Sequence, residues 1–221
     1  MIGLIKYFFG TPWFRAEKLQ SLLGLPVTAS TLCDQCRTLS KALDPIYRLL
    51  FAEAAQGWLF YSDDTGIRIL ALKAEVKTQR KTQKEVLRTG VHTSCVISEL
   101  SENRVILFKS GIIHAGEFLD EILLYRKIGL PTPLHMSDGS SCNPATVIQT
   151  LQANCNAHAK RKIDEQKDLF PEHQAFVKAI YKKVYEYDAD TKRLGMDPKR
   201  RLLYHEEHSK PLMDKMFEWM Q

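Results

Sequence analysis

The chain has 221 residues, 44% hydrophobic and 26% charged, with a formal net charge of +5. That is the composition of an ordinary globular protein with a sizeable core, and the mild positive charge allows a polyanionic partner without requiring one. The opening MIGLIKYFF is too short to span a bilayer and has no small-residue cleavage site, while an odd count of five cysteines points to reduced thiols; the expected location is the cytoplasm, with no membrane partner.

Met1 to Gly10 is apolar and lacks a helix cap, so the chain reads as one that starts inside a domain. Ala16 to Leu23 has the pattern of a short helix stopped by Gly24 and Pro26. Thr28 or Ser30 can cap the next helix, whose apolar positions run through Leu32, Cys36, Leu39 and Leu43. The helical pattern resumes after Pro45 and ends at Gly57. Cys33 and Cys36 form a lone CxxC, better explained as small residues on an amphipathic helix than as half of a metal site.

Gly57 to Leu70, GWLFYSDDTGIRIL, is an aromatic and β-branched run that ends in adjacent carboxylates, Asp63 and Asp64. The basic stretch Lys73 to Arg88 follows. Val91 to Ile97 and Arg104 to Phe108 alternate as strands around the turn residues Ser101, Glu102 and Asn103. His114 to Arg126 has helical period. Leu130 to Asp138, LPTPLHMSD, is a second short run ending in an acid. Helices are expected at about Ala145 to Leu151, Ala157 to Gln166, Glu172 to Tyr187 and Lys199 to Trp219, punctuated by Pro171, Gly195, Pro198 and Pro211.

Antiparallel strands, a crossover helix and then a strand parallel to the first make an α/β fold with a ribonuclease-H-like mixed sheet. Residues 1–56 form its helical N-terminal segment, 57–153 the core and 154–221 a helical insertion region. A right-handed crossover sets the last strand beside the first and brings Asp63 and Asp138 to neighbouring strand ends. Two carboxylates there repel unless a cation lies between them. Mg²⁺, or Mn²⁺ in its place, takes hard oxygen ligands and supports phosphodiester chemistry. Strand alternation lets only one of Asp63 and Asp64 face such a site, and Asp63 is favoured. The bland reading makes both acids strand-end turn residues.

The segments YSDDTGIRIL, SGIIHAGEFLDEILLYR, LPTPLHMSDGSSCNP, NCNAHAKRKIDE and DPKRRLLYHEEHSKPLM resemble, in order, DDE transposases of bacterial insertion sequences, of the IS-sixty-six type. The resemblance implies a catalytic core that cuts transposon ends and joins them to target double-stranded DNA, as a homo-oligomer in the full-length form. It carries the first two catalytic aspartates onto Asp63 and Asp138. It also implies a longer protein, with a DNA-recognition segment before Met1 and a third carboxylate in an Asn-Asn-x-x-Glu run that this chain lacks. The expectation is therefore a core fragment, inactive alone, with Asp188, then Glu186 and Asp190, as internal candidates for the third acid.

Lys77, Arg80, Lys81, Lys84 and Arg161 are candidate phosphate contacts, against a solvated surface as the alternative. Cys155 and His158 could supply half of a zinc site, with a packed thiol and a hydrogen-bonded imidazole as the default. His114 and Glu117 begin a helix, where capping competes with function. Two further readings stand beside the transposase core: a non-catalytic DNA-binding or interaction remnant of one, and a resolvase-type nuclease sharing only the fold.

Overall fold

A computed structural model of the protein describes residues 1–67, 75–78, 85–88, 90–166 and 170–221. After a single π-helical turn at Leu4–Phe8 come α1 (Trp13–Leu22), α2 (Ala29–Ala54) and β1 (Leu59–Ile67). Next are β2 (Glu75–Thr78), β3 (Glu85–Arg88), β4 (Val91–Glu99), β5 (Arg104–Gly111) and α3 (Ala115–Leu123). Two short strands follow, β6 (Leu134–Ser137) and β7 (Leu151–Asn154). The chain then turns helical through α4 (Asn156–Glu165), α5 (Pro171–Arg193), α6 (Pro198–His208) and α7 (Lys210–Trp219).

The main sheet has the order β5-β4-β1-β6-β7. β1, β4 and β5 are antiparallel neighbours, and β6 and β7 run parallel to β1. This mixed sheet with flanking helices is the ribonuclease-H-like core expected from the element order. β2 and β3 pair with each other as a separate antiparallel ribbon inside the basic stretch, which the sequence pattern had not indicated.

Alternation along the strands gives the sheet two different faces. Phe60, Val96, Val105 and Leu107 point to one side and pack with Phe118, Leu119, Ile122 and Leu123 of α3 and with Ala54 at the end of α2. Each is at most 8% exposed, so this is the core. Tyr61, Asp63, Cys95 and Met136 lie on the other side. A second cluster, Val177, Ile180, Tyr181 and Met216, ties α5 to α7.

Three helical expectations need correction. Ala145 to Leu151 is not a helix. The Asp120 carboxylate on α3 accepts hydrogen bonds from the Thr146 and Val147 N–H groups at 2.7 and 3.2 Å and from Thr146 Oγ1 at 2.7 Å. Those amides are then unavailable to a helical turn, and Leu151 N–H instead donates to Pro133 O at 2.9 Å, starting β7. α2 is continuous through Pro45, and Thr28 caps it by accepting from Thr31 N–H at 3.3 Å. Lys199 to Trp219 is split at Ser209 into α6 and α7.

Arg126, just past α3, holds the sheet entrance together. Its Nη1 donates to Ala55 O and Gly57 O, both at 2.7 Å, and its Nη2 to Pro131 O at 2.8 Å. One guanidinium thus links the approach to β1 with the approach to β6, and burial pushes its pKa down.

His135 on β6 is fully buried. The Gln152 amide donates to its Nδ1 at 3.2 Å, so its Nε2–H donates to Ser62 Oγ at 2.8 Å, and the imidazole is neutral. Burial lowers its pKa from 6.5 to about 4. The unfolded chain therefore binds the extra proton between these values, and stability falls as pH drops through that window. Denaturant titrations of wild type should lose about 2 kcal/mol between roughly pH 7 and pH 4.5 beyond what His135→Gln loses. Parallel pH profiles for the two proteins would rule this out.

Candidate functional site

The ladder between β1 and β6 pairs Leu59 with Leu134, Phe60 with His135 and Tyr61 with Met136. Two residues further along each strand come Asp63 and Asp138. Asp63 is not the strand end expected from the sequence, since β1 continues to Ile67, but it lies just past the end of the β1–β6 ladder, and both acids line one cavity of about 180 Å³ together with Cys95, Cys155 and His158. Acids separated by some seventy residues of sequence reach one cavity because parallel pairing fixes the strands in register. Cys95 arrives from the other side of β1, as the partner of Asp63 in the β1–β4 ladder.

The two acids are held differently. Asp138 Oδ1 accepts from Ser140 N–H at 3.0 Å and from the Asn143 side-chain amide, which fixes its rotamer in the turn after β6. Asp63 is exposed, and its Oδ1 accepts from the next residue's N–H, Asp64 N, at 2.9 Å. Among the described residues neither acid forms an ion pair. The negative potential reaches Cys95, whose thiol is raised by burial and further by the Asp63 charge. His158 Nδ1, on α4 beside the cavity, is buried and has no hydrogen-bond partner among the described residues. Two carboxylates with no ion pair among the described residues, and an unsatisfied imidazole nitrogen, suit a divalent cation with its waters.

Cys155 is placed here by β7: its N–H donates to Ser137 O at 2.9 Å, and α4 begins one residue later. Cys155 and His158 therefore face the acids, in the same cavity, with Cys95 as the further thiol.

Asp64 points the opposite way. Its Oδ1 accepts from Ser94 Oγ at 2.6 Å. Its Oδ2 accepts from Ala115 N–H at 3.0 Å and lies 3.1 Å from His114 Nδ1. Glu117 accepts from the His114 N–H at 2.9 Å, so His114 and Glu117 do cap α3. Asp64, His92 and His114 form a group of metal-ligand type, with one ligand atom of each within 4.8 Å of the others. His92 had no distinguishing signal in the sequence. It is joined to Asp64 only through the β1–β4 ladder, whose register spans the connection between residues 67 and 91.

Asp188 lies elsewhere, in a cavity bounded by α5, α6 and α7. Lys192 and Arg201 pair with it at 2.7 and 2.8 Å, and hydrogen bonding from Lys192 foremost holds its carboxyl below the usual range. Glu186 and Asp190 pair with Lys183 and Arg193 on the same helix. Of the candidate phosphate contacts, Arg161 is exposed on α4, and its neighbour Lys160 is engaged with Asp164 at 2.9 Å. Lys77 lies on β2, while Arg80, Lys81 and Lys84 lie outside the described residues. No helix among the described residues is long and apolar enough to cross a membrane.

No curated protein matches the chain. A family model described as "Transposase IS66 family" matches residues 1–221.

Proposed function

The chain belongs to the IS66 family of transposases, and from that premise we propose that Asp63 and Asp138 are two carboxylates of a metal-dependent site for DNA strand cleavage and transfer. The observation that carries the proposal is their position two residues beyond the last pair of the parallel β1–β6 ladder, lining one cavity. Mg²⁺ or Mn²⁺ bound there would activate the attacking oxygen and neutralise charge on the leaving one. Asp63 and Asp138 would hold it, with Asn143 and the Ser140 N–H keeping Asp138 aimed. Asp188, engaged by Lys192 and Arg201 in a separate cavity, is left out of this assignment.

DNA is the partner, with transposon ends and target as its two forms. Arg161 on α4 and the basic stretch containing Lys77, Arg80, Lys81 and Lys84 are the proposed phosphate contacts. Each one neutralised should lower the salt dependence of duplex binding by about one unit of log–log slope.

A second reading is favoured by the acid count. The described residues lining the cavity include Asp63 and Asp138 and no third carboxylate. On that reading the chain binds DNA as part of a mixed oligomer and does not cleave it.

Calorimetric titration of Mn²⁺ tests the first reading. Wild type is expected to bind, and Asp63→Asn and Asp138→Asn should each weaken binding at least tenfold. Unchanged affinity in both variants would sink the assignment. A wild type that binds no Mn²⁺ yet binds duplex DNA in a salt-sensitive way would favour the second reading.

A further inference from the structure

We infer that Asp64, His92 and His114 form a second metal site, suited to zinc-class divalent ions, on the helix-covered face of the sheet. It goes beyond the proposed function, because Asp63 and its cavity lie on the opposite face of β1.

The geometry is close to a ligand set. Asp64 Oδ2 and His114 Nδ1 are 3.1 Å apart, near the roughly 3.3 Å that two ligands keep around a tetrahedral ion with bonds of about 2.0–2.1 Å. The His92 and His114 rings lie 4.3 Å apart, tilted by 41°. His92 pairs with Gly66 across the β1–β4 ladder, and a Cβ at Gly66 would meet nothing within 4 Å. A glycine thus leaves open the space next to Asp64 towards which His92 can lean. Ser94 Oγ and Ala115 N–H orient the carboxylate, as outer partners of metal ligands do.

Chemistry selects the ion. Two imidazoles and one carboxylate form a borderline set that favours Zn²⁺ or Co²⁺ over Mg²⁺, with water completing the shell. The start of α3 carries about +0.5 charge, which opposes a cation, but the full negative charge of Asp64 stands between them. Bound zinc would replace the proton between Asp64 and His114 and tie β1, β4 and the start of α3 together. The competing arrangement is an Asp64–His114 hydrogen bond with a ring contact from His92 and no metal.

The test is calorimetric titration of Zn²⁺ into the full chain, with Co²⁺ spectra in parallel. One Zn²⁺ per chain is expected, retained in the Asp63→Asn/Asp138→Asn double variant and weakened at least tenfold in His92→Ala. His92→Phe keeps a ring over His114 and should lose zinc equally, which separates ligation from packing or misfolding. The Co²⁺ form should lack a sulfur-to-metal charge-transfer band. Zinc affinity unchanged in both His92 variants overturns the site. So does zinc lost with the double variant, or a thiolate band, since either would place the ion with Cys155.

Discussion

Gly116→Val is expected to cost about 3 kcal/mol of stability and to weaken Mn²⁺ binding at least tenfold, although Gly116 is not proposed to touch metal. Gly116 sits in the first turn of α3, pressed against the turn that follows β6. A Cβ there would meet the Cys142 carbonyl oxygen, with Asn143 O at 2.5 Å and Asn143 C at 2.7 Å. These are backbone atoms and cannot rotate aside. The cost therefore belongs at the upper end of the overpacking range, about 1–3 kcal/mol. Removing a helical glycine returns at most about 1 kcal/mol and less for a β-branched replacement, so the clash wins. The segment that must yield carries Asn143, whose side chain holds Asp138. Chemical denaturation and Mn²⁺ calorimetry on the same preparation check both halves. A destabilised variant with unchanged metal affinity would show that Asp138 does not depend on this turn.

The second large effect concerns the layer beneath the sheet. Phe118 is fully buried between α2 and the strands, with its ring centroid 5.7 Å from Phe51 in an edge-on arrangement. Phe118→Ala removes that contact and leaves a cavity lined by Phe60, Leu107 and other members of the cluster. The expected loss is about 3–5 kcal/mol. For a chain of this size that is roughly a 10 °C fall in Tm. Phe118→Leu fills most of the space and should lose less than half as much. Equal losses for the two variants would mean that the site collapses around either side chain.

The acid pair was legible in the sequence because its cause is written there. Two short apolar runs each end in a carboxylate, and the one helix between the second hairpin strand and the last run forces a right-handed return. The separation of Asp63 from Asp64 followed from alternation alone, and Asp64 does turn towards the start of α3. β7 was illegible for the opposite reason. Val147, Ile148 and Leu151 have helical spacing, and nothing nearby announces that Asp120, twenty-six residues upstream, takes the amides that a helix would need. The helical pattern resumes after Pro45 in the sequence, whereas α2 is unbroken through it. His92 stayed hidden because its neighbours come from β1 and α3, joined by ladder register and not by any spacing along the chain.

β1 carries its two acids in successive positions, so the strand obeys a rule of parity. Odd positions, Tyr61 and Asp63, serve the cavity shared with β6, and even positions, Phe60, Ser62 and Asp64, serve the side under α3. Adding or deleting one residue between the Arg126 clamp at Gly57 and Asp63 would exchange these addresses while leaving the local composition almost intact. A deletion would set Asp64 opposite Asp138 and drive Asp63 into the buried place of Ser62, while an insertion would move Asp63 off the cavity face altogether. Frame-preserving insertions of single codons should therefore be tolerated far less in this strand than in the loops at its ends.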